Sequence, residues 1–171
     1  MKQLNIKTKF GAPASYHSLL RKYPCENFDF IIEGGSRDAV DAIKLNRSLG
    51  KKVYAFECNP SCLQICKDNL EVNDVTSEQV SLQPYALYNE NTVIDFYCTI
   101  DTPNPPCGPG DSNLIEVDGK RANIGTSSIL PFTDTWKKIH TSEKISVNAI
   151  TLDKFIENNN LISNKYILCM D

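Results

Sequence analysis

A chain of 171 residues carrying a formal net charge of −3 is the size of a single domain with one core. Hydrophobic residues at 41%, charged residues at 23%, eight Gly and nine Pro exclude collagen-like repeats, coiled coils and wholesale disorder. The slightly acidic balance gives no basic face for nucleic acid, which is therefore not an expected partner.

Residues 1–10 alternate polar and apolar side chains without the apolar stretch of a signal peptide, and no apolar run approaches the length of a membrane span. Seven cysteines, an odd number, are read as free thiols in a reducing compartment, so a soluble cytoplasmic protein with no membrane partner is expected. Residues 15–23 place Tyr16, Leu19, Leu20 and Tyr23 at helical spacing before Pro24, predicting a helical extension over 1–27.

The domain proper is expected over 28–171. Residues 28–32 (FDFII) read as a buried strand broken by Gly34 and Gly35, and 37–49 read as a helix ended by Gly50. Residues 53–56 (VYAF) form a second strand ending at Glu57, and Asn59-Pro60 opens a second helix running to Asn73-Asp74. A third strand starts at 80–82, and 93–100 is a fourth extended run. With four Pro and three Gly, 101–120 reads as a long irregular loop. A short helix at 131–140, an extended piece at 145–149, a helix at 152–158 and a last buried strand at 166–170 complete the chain, with Asp171 at the strand tip. Alternating strands and helices with short links predict an α/β fold, a doubly wound, mostly parallel sheet.

In such a sheet ligands bind beyond the carboxyl ends of the strands. Here those ends are Glu33-Gly34-Gly35, Glu57, Tyr85-Ala86 and Asp171. Two glycines and a carboxylate 22 positions past Gly35 suit a ribose, whose two hydroxyls one carboxylate can accept. The turn E-G-G-S-R-D-A lacks the glycine pattern of a dinucleotide site, and Glu33 and Asp38 repel phosphate, although Arg37 offsets part of that. S-adenosylmethionine has no phosphate and carries a cationic sulfonium, so the residues favour it over NAD. A nucleotide-linked oxidoreductase and a non-catalytic binding or assembly module remain the alternatives.

Several ordered motifs carry a family resemblance: F-I-I-E-G-G-S-R-D-A at 30–39, V-Y-A-F-E-C-N-P at 53–60, P-Y-A-L-Y-N at 84–89, G-T-S-S-I at 125–129, I-T-L-D-K-F-I at 150–156 and Y-I-L-C-M-D at 166–171. Over 28–171 the chain resembles the FkbM-type S-adenosylmethionine-dependent methyltransferases, of the class I, Rossmann-like kind. The resemblance implies strand order 3-2-1-4, O-methylation of a small-molecule or sugar hydroxyl, and S-adenosyl-L-methionine as cofactor. It implies that Glu33, Gly35 and Ser36 surround the methionine end, Glu57 holds the ribose, and Asn59 and Ala86 neighbour the adenosine. Ala39 stands where the family pattern has a glycine, a change expected to add one methyl to the turn. The family's last matching strand continues into Glu-Gly and the rest of the sheet, whereas this chain ends at Asp171. The sheet is therefore expected to be incomplete after its fourth core strand, completed by a further segment or by a partner.

Asp171 is the expected catalytic contact to the acceptor, and Asn123, Ser127 and Ser128 are expected to line the acceptor pocket. Cys58, Cys62 and Cys66 lie four apart along one helix face, spanning about 12 Å, too far for one metal, and no metal site is expected. His17 and His140 are read as solvated, the latter on a surface helix after Lys137-Lys138, and Phe132 and Trp136 as a small satellite cluster.

Overall fold

A computed structural model describes residues 27–103, 114–117, 119–162 and 165–170. The strands in chain order are β1 (Phe30–Gly34), β2 (Lys52–Phe56), β3 (Val80–Gln83), β4 (Ala86–Leu87), β5 (Thr92–Asp101), β6 (Ile115–Val117), β7 (Lys120–Ala122), β8 (Thr141–Ile150) and β9 (Tyr166–Met170). The helices are α1 (Val40–Leu49), α2 (Pro60–Val72), α3 (Asp134–Lys137) and α4 (Leu152–Asn158), with a 3-10 turn at Ile124–Thr126.

The main sheet is parallel throughout, in the order β3-β2-β1-β9. Every residue of β1 is buried, as its unbroken apolar run requires of a strand flanked on both sides. Side chains alternate between two cores. Ile31, Val53, Ala55, Val80 and Cys169 face Ala42 and Leu45 of α1 and Cys66 of α2. Phe30, Ile32, Tyr54 and Phe56 face Phe155 of α4. Helices therefore cover both faces, and the strand tips are left for a ligand.

Local signals set the helix ends. α2 begins with Pro60 behind Asn59, whose side chain accepts from the Ser61 amide at 3.1 Å. α1 stops at Gly50, which takes φ 66 and donates its amide to the Asn46 carbonyl. A Cβ at Gly50 would meet nothing within 4 Å, so only the left-handed backbone opposes a side chain there. Gly50→Ala is expected to cost about 1 kcal/mol of unfolding free energy, read by urea denaturation; an unchanged midpoint would mean the terminus relaxes freely.

The extended runs at 93–100 and 145–149 pair with each other rather than with the main sheet. β5 and β8 form a ten-residue antiparallel ribbon, with Thr92 opposite Ala149 and Asp95 bonded to Lys144 at 2.8 Å, and β4 adds to β8 in parallel. The segment 101–120 is not irregular throughout: β6 and β7 make an antiparallel hairpin in which Gly119 supplies φ 74 at the turn. Residues 104–113 of that loop and the helix expected at 15–23 lie outside the described residues. Among the described residues, β9 pairs only with β1 and leaves Tyr166, Leu168 and Met170 exposed along one face. No helix among them is long and apolar enough to cross a membrane.

Candidate functional site

The turn between β1 and α1 folds over the tip of β2. The Gly35 and Ser36 amides both donate to the Phe56 carbonyl, at 3.0 and 2.9 Å, and Gly35 takes φ 79. The Ser36 hydroxyl donates to the buried Glu33 carboxylate. Asp38 accepts from the Val40 amide at 3.0 Å, tying off the start of α1, while the Asn69 side chain of α2 donates to the Asp38 carbonyl at 2.9 Å. Burial pushes the Asp38 carboxyl up, and the Val40 amide and the Arg37 guanidinium partly counter this.

Arg37 and Ala39 both adopt left-handed backbone, with φ 50 and φ 58. The expectation that Ala39 merely adds a methyl is thus corrected. It occupies a conformation that glycine enters freely and that costs an L residue about 1 kcal/mol.

Glu57 sits at the end of β2 with both carboxylate oxygens engaged. Oε2 accepts from the Arg37 amide and Oε1 from the Asn59 amide, each at 2.8 Å. The carboxylate joins the β1–α1 turn to the start of α2, a structural duty its strand-tip position alone does not reveal. Each oxygen retains a second lone pair. Burial pushes the Glu57 carboxyl up, with the Asn59 and Arg37 amides pulling the other way.

These tips open on a cleft of about 450 Å³. Of the residues expected from sequence, Gly35, Glu57, Asn59, Ala86, Ser127 and Ser128 line it. Glu33 and Ser36 lie buried behind the turn, bonded to each other. Asn123 is not on the wall; its amide donates to the Thr102 hydroxyl at 2.9 Å just before the 3-10 turn. Asp171 lies outside the described residues.

Ser127 lines the cleft, but its hydroxyl is fully used. It accepts from the Asn59 side chain at 3.1 Å and the Thr99 amide at 3.0 Å, and donates to the Ile124 carbonyl at 2.8 Å. Its part is to lock the 124–128 segment onto α2 and β5, not to reach for an acceptor. Ser128 exchanges backbone hydrogen bonds with Tyr97, and its hydroxyl accepts from the Leu130 amide at 3.0 Å.

Sequence reasoning did not select Arg37, Tyr85, Phe96 or Met170 as lining residues. Arg37 had a signal, its place in the glycine turn. Phe96 had none, because only the β5–β8 ribbon brings it to the main sheet. Met170 lies across Gly34, where a Cβ would come within 2.7 Å of its sulfur.

The thiols around the cleft are poor nucleophiles. Burial and the neighbouring Glu57 push Cys58 up to about 12, burial pushes Cys98 to about 11, and Cys62 and Cys66 are likewise raised. Among the described residues no group of three or more His, Cys, Asp or Glu side chains is placed to hold a metal.

His140 is buried rather than solvated. It stacks on Trp136 at 5.0 Å, meets Phe132 edge-on, and shares a 3.0 Å hydrogen bond between Nδ1 and the Thr102 hydroxyl, while Nε2 has no hydrogen-bond partner among the described residues. Desolvation holds its pKa below the ordinary 6.5. A depressed histidine resists charging in the fold, so its contribution is intact above 6.5 and is lost as pH falls through the folded value. Between pH 7.5 and 5.5 the wild type is expected to lose stability more steeply than His140→Gln, by at most about 1.4 kcal/mol per pH unit. Parallel urea-midpoint profiles for the two proteins would refute this.

No family model, no curated protein and no solved structure matches the chain, and the chemistry of the cleft rests on its own residues.

Proposed function

We propose that the cleft binds S-adenosylmethionine and that the chain is a methyltransferase of the FkbM type its motifs resemble, acting on a hydroxyl oxygen of a small molecule or sugar. The observation that carries this reading is Glu57. It lies at the tip of the strand beside the glycine turn of a parallel sheet, lines the cleft, and is oriented by two backbone amides with a lone pair left on each oxygen. That donor set fits a ribose, whose adjacent hydroxyls can each donate to one oxygen.

The rest of the cleft agrees in size and charge. About 450 Å³ lies within the range of small-molecule sites. Glu33, Asp38 and Glu57 cluster around the turn, which favours a sulfonium and an ammonium and opposes a pyrophosphate. Gly34 and Gly35 let a ligand approach bare backbone, and Asn59 and Ala86 flank the nucleoside end.

When bound, the cofactor supplies a methyl group on a positively charged sulfur that leaves as a neutral thioether. The chain's own task is then alignment and exclusion of water, and a strong base is not required of it. Calorimetric titration with S-adenosylhomocysteine and with NAD tests the reading. Stoichiometric binding of S-adenosylhomocysteine and none of NAD is expected. The reverse result would establish the oxidoreductase alternative, and a folded chain that binds neither would overturn both in favour of a non-catalytic module.

A further inference from the structure

We infer that the Arg37 guanidinium receives the carboxylate at the amino-acid end of the cofactor and so discriminates the whole cofactor from its nucleoside part. The inference rests on the S-adenosylmethionine reading above and adds to it a specificity-determining residue.

Among the described residues lining the cleft, Arg37 carries the one positive side chain and Glu57 the one negative. The two are coupled through the backbone, since the Arg37 amide is bound to Glu57 Oε2 at 2.8 Å. That bond accompanies a backbone φ of 50 at Arg37, a conformation an arginine rarely adopts and one that the surrounding structure must enforce. The turn therefore fixes where the side chain starts relative to the presumed ribose anchor.

The side chain's course is fixed at a second point. A Cβ built at Gly125 would lie 3.3 Å from Arg37 Cδ and 3.7 Å from Nη1, so the stem runs across a glycine on the facing cleft wall. The neighbouring Asp38 carboxylate is 3.8 Å from Nη2, beyond direct hydrogen-bond reach, and the guanidinium has five N–H donors in a planar fork.

The cofactor's amino-acid end is a zwitterion. Its ammonium suits the acidic residues around the turn, but its carboxylate would be repelled by Glu57 unless a cation met it. A planar guanidinium on the cleft wall supplies that cation in a geometry matched to a carboxylate.

S-adenosylhomocysteine and 5′-methylthioadenosine separate the two ends of the ligand, because the second keeps the nucleoside and sulfur but lacks the amino-acid carboxylate. Affinities of both are measured by calorimetry for the wild type, Arg37→Met and Arg37→Lys. The wild type is expected to prefer S-adenosylhomocysteine by about tenfold or more, as a charge-assisted bidentate contact would give. Arg37→Met should erase that preference while binding 5′-methylthioadenosine as the wild type does, and Arg37→Lys should keep part of it. A preference unchanged in Arg37→Met, or an equal loss for both ligands, would overturn the assignment and leave the cofactor reading standing. Failure of the wild type to bind either compound would overturn the cofactor reading and the inference together.

Discussion

Phe155→Ala is expected to lower the unfolding free energy by about 3 to 5 kcal/mol, the largest stability effect of any single truncation argued here. Phe155 is 1% exposed and is the buried residue by which α4 is attached to the sheet. Its ring meets Tyr54 at 5.1 Å and Phe56 at 4.8 Å, both edge to face. A seven-residue helix has no stability of its own, so without that anchor α4 detaches and the Phe30, Ile32, Tyr54 and Phe56 face meets water. Because Phe56 also lines the cleft, ligand affinity should fall with stability. Urea denaturation of wild type, Phe155→Leu and Phe155→Ala orders the three, with Phe155→Leu between; a loss below about 1 kcal/mol for the alanine would show that α4 contributes little to the core.

Glu57→Ala is expected to weaken S-adenosylhomocysteine binding by about 2 to 4 kcal/mol, through the loss of charge-assisted bonds to the ribose. The structure adds a second effect, because the Arg37 and Asn59 amides lose their acceptor and the fold should lose about 1 to 3 kcal/mol as well. Glu57→Gln is not a neutral replacement. It keeps one acceptor oxygen but turns an NH₂ group toward one of two backbone donors, so it should fall between wild type and alanine in both measurements.

The pH dependence of the same residue has two opposite signs. Burial raises the Glu57 carboxyl above its ordinary 4.5, so the ionised group opposes folding at neutral pH. Its contribution to stability improves as pH falls from above the raised value toward 4.5. Ribose hydroxyls donate to the ionised form, so cofactor affinity should decline over that same window. Glu57→Gln should show neither trend. Equal affinity of wild type and Glu57→Ala, with both folded, would remove the nucleoside assignment.

Much of the main sheet was legible from the chain itself. The runs at 28–32, 53–56 and 166–170 are apolar without alternation because both faces of those strands are covered or paired, and Gly50 and Asn59-Pro60 mark helix ends through purely local chemistry. Carboxyl ends of adjacent parallel strands share one edge, so Gly35, Glu57 and Ala86 could be placed near a common cleft without coordinates. The strand order itself came from resemblance to a family, since periodicity states which face a strand buries and not which neighbour it takes.

Only the tertiary structure decided the rest, and in each case the partner is distant in sequence. Glu57 holds an amide 20 residues away, and the Ser127 hydroxyl is saturated by Asn59, 68 residues away, and by Thr99. His140 is buried because Thr102, 38 residues earlier, and the Trp136 ring close around it, although the charged helix before it reads as surface. The left-handed backbone at Arg37 and Ala39 leaves no trace in residue type, because the turn is held from outside by the Phe56 carbonyl and the Glu57 carboxylate. Local sequence determines which strands and helices form, through propensity and burial. What the polar side chains at their tips do depends on which distant donors the packed sheet brings within hydrogen-bond reach.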